Sequence, residues 1–133
     1  MTRILIVDDS APVRTALRMC LRMNKDWIVC GEAENGHDAI DLAARTRPDV
    51  LLLDNAMPAM NGLEAARTLR VLVPECAILM FALFATPELS ELARAAGIRA
   101  VLSKDVNGIS SVIEAIEAII SISAEHISLE GWG

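Results

Sequence analysis

Val50-Leu51-Leu52-Leu53-Asp54 places four consecutive aliphatic residues before a single carboxylate. Side chains along a strand point to opposite faces in turn, so a strand with one wet face alternates apolar and polar residues. An unbroken apolar run of this length fits a strand covered on both faces, as in a parallel sheet layered between helices.

The same signature recurs along the chain. Ile4-Leu5-Ile6-Val7 ends in Asp8-Asp9, and Cys76–Phe81 and Arg99–Leu102 read as strands, the last leading through Ser103 to Lys104. Trp27–Ala33 is a further strand. Helical spacing fills the gaps. Val13, Ala16, Leu17, Cys20 and Leu21 mark a first helix, with Pro12 tolerated in its first turn. Ala39, Ile40 and Ala43 mark a second, stopped near Pro48; Leu63, Ala66, Leu69 and Val73 mark a third, ended by Pro74. Thr86-Pro87-Glu88 supplies a cap, a first-turn proline and an acid at the positive end of a fourth, with Gly97 as its left-handed stop. Asn107 is placed to cap a last helix carrying Ile109, Val112, Ile113, Ile116 and Ile120. Repeated β-α units predict an α/β fold: a five-stranded parallel sheet, doubly wound, with five helices on both faces.

Composition narrows the function classes. The 133 residues fit one domain, 53% of them hydrophobic, with two Trp, two Phe and no Tyr, so the core is aliphatic. A net charge of -6 argues against nucleic acid as a partner, because phosphate contacts need clustered Lys and Arg. The first apolar run is too short for a signal peptide or a membrane span, so a cytoplasmic protein away from membranes is expected. Cys20, Cys30 and Cys76 have no metal-binding spacing and read as free buried thiols in a reducing compartment. His37 and His126 lack partners at ligand spacing, and Met57 and Met60 read as packing.

The chemistry lies at the strand ends. In a parallel sheet these ends share one edge, where such folds bind their ligands. Asp8, Asp9, Asp54 and Lys104 then converge. Two carboxylates about 4 Å apart repel by roughly 4 kcal/mol at an effective dielectric near 20. Lys104 and a hard divalent cation would balance three such charges, and a shell of oxygen ligands that retains water suits Mg²⁺, or Mn²⁺ in its place. A carboxylate beside such a cation and an ammonium can accept a phosphoryl group.

Three segments carry a family resemblance: Ile4-Leu5-Ile6-Val7-Asp8-Asp9; Leu51-Leu52-Leu53-Asp54 through Met57-Pro58-Ala59-Met60-Asn61-Gly62; and Ser103-Lys104-Asp105. In this order, with 45 residues from Asp9 to Asp54 and 50 from Asp54 to Lys104, they resemble the response-regulator receiver domain, the CheY-like fold. The resemblance covers about residues 3–122, giving a receiver domain over 1–122 and a tail over 123–133. Lys104-Asp105 resembles receivers of the NarL/FixJ group. The resemblance implies Asp54 as phosphoacceptor, Asp9 as direct metal ligand, Asp8 as a ligand acting through water, the backbone carbonyl of Ala56 in the metal shell, and Lys104 on the phosphoryl group. It implies Pro58 as a rigid turn and Gly62 as a position free to take positive φ. Its partners would be a histidine kinase or a phosphotransfer protein, and it would not be an enzyme beyond its own phosphorylation and dephosphorylation.

The chain also departs from that family. Where receivers usually carry a Thr or Ser after the fourth strand and an aromatic residue in the fifth, this chain has Ala82 and Val101. Ala56 and Phe84 occupy positions that help control hydrolytic water in the family. A receiver with an atypical switch is therefore expected, and a phosphorylation-independent pseudo-receiver, acting as a protein-interaction module, is the alternative. A phosphatase with an aspartyl nucleophile would need a second Asp two residues on, where Ser10 and Ala11 stand instead. A flavodoxin-like protein would need a phosphate-cradling loop where Asp8-Asp9 stands. Ile119 and Ile122 add to the last helix more apolar positions than one sheet-facing stripe needs. They read either as a wide stripe covered by the tail or as a surface for a homodimer or an effector protein.

Overall fold

A computed structural model describes the backbone of residues 1–105 and 108–130, with the side chains of Ile109 and of 123–130 outside the description. Five strands and five helices alternate: β1 (Thr2–Val7), α1 (Ala11–Leu21), β2 (Trp27–Ala33), α2 (Gly36–Thr46), β3 (Val50–Asp54), α3 (Gly62–Leu72), β4 (Ala77–Ala82), α4 (Pro87–Ala95), β5 (Ala100–Ser103) and α5 (Gly108–Glu130). All strand pairs are parallel, in the order β2-β1-β3-β4-β5. Each element expected from the sequence is present, β4 and β5 starting one residue later than read. α5 carries helix past residue 122, well into the segment read as tail. The expected cap Asn107 lies outside the described residues.

The apolar strands are buried on both faces because two cores sandwich the sheet. Leu5, Val7, Leu51, Leu53, Ile78 and Met80 point toward α2, α3 and α4, where Ala39, Ala43, Ala65, Ala66, Ala93 and Ala96 let the helix backbones approach closely. The alternate residues Ile4, Ile6, Val50, Leu52, Leu79 and Phe81 point to the other face, against Leu17 and Leu21 of α1 and Val112 and Ile116 of α5. Ile119 packs against this second core, as the wide-stripe reading requires, whereas Ile122 is 58% exposed.

Helix starts follow side-chain chemistry. Ser10, Asn35, Asn61 and Thr86 each accept an amide N–H three residues on, satisfying a donor the helix leaves unpaired. Arg3 and Arg70 donate to the carbonyls of Thr46 and Ala95 near the ends of α2 and α4. Gly97 takes φ 88° after α4, as expected of a left-handed stop. Met57 and Met60 pack against the core. Cys20, Cys30 and Cys76 are free and partly buried; burial, with Asp49 and Glu75 nearby, pushes the Cys76 thiol up to about 12.

Gly62 corrects one expectation. It opens α3, and the positive φ in this loop, 68°, belongs to Ala59. Its need for glycine is steric: a Cβ there would stand 2.6 Å from the Asp54 carbonyl oxygen and 3.0 Å from Asn55 Cα. The Gly62 N–H donates to the Asn55 carbonyl at 2.9 Å, so α3 starts in contact with the end of β3.

Candidate functional site

The site forms where β1, β3 and β5 end. Asp8 and Asp9 follow β1, Asp54 is the last residue of β3, and Lys104 follows β5. β1 and β3 are adjacent and β4 separates β3 from β5, so only a long side chain reaches back from β5. Lys104 does so: its Nζ lies 2.8 Å from Asp8 Oδ2 and 2.9 Å from Asp54 Oδ1. Its backbone N–H is anchored on the Ala82 carbonyl at 2.9 Å.

Asp8 and Asp54 are the two buried charged residues among those described, at 1% and 3% exposure, while Asp9 is exposed. One carboxylate oxygen from each of the three falls within 4.8 Å of the others. Asp8 Oδ1 also accepts the Ser10 N–H at 2.9 Å, and Asp54 Oδ1 accepts the Ala56 N–H at 3.2 Å. Asp54 Oδ2 is buried with no hydrogen-bond partner among the described residues. Burial holds the Asp54 carboxyl above the usual carboxylate range; the Lys104 hydrogen bond pulls it down, and the charge of Asp8 pushes it up again. Burial pulls Lys104 down, but its hydrogen bonds to Asp8 and Asp54 outweigh this and leave it above its ordinary value.

The donor set fits a hard divalent cation. Three carboxylates face one ammonium, all ligands are oxygens, and Asp9 leaves the cluster open to water. A cleft of about 380 Å³ adjoins the cluster, with Asp9, Asp54, Lys104, Ala56, Ala82 and Phe84 among its lining residues. The structure thus brings Asp8, Asp9, Asp54 and Lys104 together, with Ala56 beside them.

Residues 4–117 match the family model for the response regulator receiver domain. The chain belongs to that family. This receiver is 36% identical over 131 residues to the transcriptional regulatory protein PdtaR of Mycobacterium tuberculosis, covering 97% of this chain and 62% of PdtaR. It is 43% identical over 81 residues to a protein-glutamate methylesterase/protein-glutamine glutaminase of Pyrococcus abyssi, covering 61% of this chain and 22% of that protein. The chain therefore spans less than two thirds of either relative. Among solved structures, a LuxR-family two-component response regulator from Aurantimonas sp. SI85-9A1 superposes with a TM-score of 0.85 at 30% identity, covering 91% of this chain and 86% of the other. The receiver domain of the putative response regulator NarL from Mycobacterium tuberculosis gives 0.78 at 28% identity, covering 87% and 96%. The receiver fold and the likeness to NarL- and LuxR-type receivers agree with the sequence reading. No described helix is long and apolar enough to cross a membrane.

Two contributors to the site were not read from the sequence. Ser10 orders the turn after β1, donating its N–H to Asp8 while its hydroxyl caps α1. Arg14, on α1, donates from Nη1 to the Asp8 carbonyl at 2.6 Å. The available signal was local: a hydroxyl residue just after the acidic pair, and an arginine one helical turn further on.

Proposed function

We propose that this receiver accepts a phosphoryl group on Asp54 from a phosphohistidine donor, carried by a histidine kinase or a phosphotransfer protein, in a reaction that requires Mg²⁺ or Mn²⁺. The observation that carries the proposal is the state of the Asp54 carboxylate. Oδ1 is held by Lys104 and the Ala56 N–H, while Oδ2 is buried with no hydrogen-bond partner among the described residues, on a side chain that lines the open cleft. Oδ2 is the oxygen we assign to attack. The new bond joins it to phosphorus as the bond from phosphorus to the donor nitrogen breaks, and that electron pair leaves with the imidazole. Lys104 stands where it can neutralise charge on the transferring oxygens. Asp8, Asp9, Asp54 and the Ala56 carbonyl would hold the cation, which supplies further neutralisation of those oxygens when bound.

The output is conveyed atypically. Ala82 and Val101 take the places of the hydroxyl and aromatic residues that pair in the usual receiver switch, and Ala82 offers the phosphoryl group only a methyl. The long apolar α5, with Ile122 exposed, is the surface we assign to a second copy or an effector. Ala82 also favours the second reading, a pseudo-receiver that never uses phosphate.

Intact mass after incubation with a small acyl phosphate and Mg²⁺ separates the two. One phosphoryl adduct on the wild type and none on Asp54→Asn supports the phosphoacceptor. No adduct on either protein supports the pseudo-receiver.

A further inference from the structure

Arg14 touches no other member of the acidic cluster, yet it grips the peptide that carries two of them. Its Nη1 donates to the Asp8 carbonyl at 2.6 Å, and that carbonyl belongs to the peptide joining Asp8 to Asp9. The other side of Asp8 is pinned as well, its N–H donating to the Ala33 carbonyl at 3.0 Å. Arg14 is held in turn: its Nε lies 3.4 Å from Glu32 Oε1 on β2, and the Arg14 side chain is only 18% exposed. Arg18, one turn along α1, pairs with the other oxygen of Glu32 without contacting Asp8. The plane of the Asp8–Asp9 peptide fixes the directions in which the two carboxylates leave the backbone. A buried carboxylate and an exposed one must converge with Asp54 from that single turn.

From this geometry we infer that Arg14, oriented by Glu32, is a positioning residue for the divalent cation site. It holds the Asp8–Asp9 peptide so that both carboxylates face Asp54. The inference rests on the cation reading of the cluster. A planar guanidinium can donate to Asp8 and Glu32 at once, whereas a lysine ammonium lacks that fork.

Positioning and plain charge predict opposite signs. Arg14 is a cation beside a cation site, so by charge alone its removal would tighten Mg²⁺ binding. By positioning, its removal weakens it. The test is calorimetric titration of the folded chain with Mg²⁺, with a metal-free melt of each variant alongside. Arg14→Ala and Arg14→Lys are each expected to raise the Mg²⁺ dissociation constant by about tenfold, the lower end for groups that orient metal ligands. Glu32→Gln, which keeps Arg14 but loosens it, is expected to shift it the same way by less, and serves if the Arg14 variants do not fold. Arg18→Gln removes a Glu32 pair without touching Asp8 and is expected to leave the constant unchanged. Tighter binding by Arg14→Ala, or lower melting temperatures with unchanged dissociation constants, overturns the inference. So does an equal loss in Arg18→Gln. A wild type that binds no Mg²⁺ overturns the cation reading itself, a result distinguishable from a wild type that binds while its variants bind equally well.

Discussion

Lys104 Nζ sits 2.9 Å from Asp54 Oδ1 and leaves Asp54 Oδ2 without a hydrogen-bond partner among the described residues. The same ammonium is shared with Asp8 at 2.8 Å, so one positive charge serves two buried carboxylates. This division keeps the Asp54 carboxylate in place while under-compensating its charge.

Removing that charge should therefore stabilise the metal-free protein. Asp54 has a folded pKa raised above its ordinary 3.8, chiefly by burial. A carboxyl raised in this way binds its proton more tightly in the folded state, so folding loses stability as pH climbs from 3.8 through the folded value. Above the folded value the penalty is present in full. Asp54→Asn is expected to raise the metal-free melting temperature at pH 7, by roughly 3–6 °C for each kcal/mol relieved. The difference should shrink as pH falls toward the ordinary carboxylate range. Mg²⁺ should raise the wild-type melting temperature by mass action and the Asn variant's by less. Melting curves of the two proteins that coincide at pH 7, with and without Mg²⁺, would show the carboxylate to be fully compensated.

Gly62 ties the stability of α3 to the position of Asp54. Its missing Cβ leaves room for the Asp54 carbonyl, a backbone atom that cannot swing away. Gly62→Ala is expected to cost about 1–3 kcal/mol as overpacking, seen as a lower melting temperature and weaker Mg²⁺ binding. Gly36→Ala is the matched control, because the nearest atoms to a Cβ there belong to the Met60 side chain rather than to backbone. Equal losses in the two variants would mean that the contact with Asp54 has no special weight.

The site was legible because its residues sit at the ends of apolar runs. Val50 to Leu53 and Ile4 to Val7 announce buried parallel strands, and the parallel arrangement alone carries Asp8, Asp9, Asp54 and Lys104 to one edge. What supports the site was not legible, for two physical reasons. Arg14 and Glu32 are ordinary surface charges until β2 is docked beside β1, since their contact depends on strand register and on side-chain direction from α1. Gly62 was read as a conformational glycine because sequence shows a missing side chain but not which atom occupies its place; the left-handed position fell instead to Ala59.

The lifetime of a phosphoryl group on Asp54 depends on the walls of the cleft. Ala56 and Phe84 line it, and Phe84 is 78% exposed at its mouth. Neither side chain can hydrogen-bond a water for attack on the acyl phosphate. If Asp54 is phosphorylated as proposed, slow loss of phosphate is the expected outcome. Ala56→Asn combined with Phe84→Glu is expected to accelerate the loss about tenfold, below the full range of general acid–base assistance. The measurement is the decay of the phosphoryl adduct by intact mass after removal of the donor. An unchanged half-life would place control of the water elsewhere.

On the proposed reading, Ala82 is the residue that limits how far phosphorylation is felt beyond the site. It is the last residue of β4, 3% exposed, paired with Ser103, and its carbonyl accepts the Lys104 N–H. The backbone link between the β4 end and the lysine is therefore present, but no hydroxyl is there to bond a phosphoryl oxygen. Ala82→Thr adds one at the wall of the cleft, where about 380 Å³ of open volume can take the extra atoms. Val101, opposite Met80 on β5, remains an aliphatic residue packed against the core. The variant should thus gain the first half of the relay and not the second. With Mg²⁺ and the phosphomimic beryllofluoride, wild-type amide resonances should shift mainly around Asp54 and Lys104. In Ala82→Thr the shifts should extend into the loop that follows β4, including Leu83 and Phe84. Identical shift maps in the two proteins would show that the hydroxyl is not what this receiver lacks.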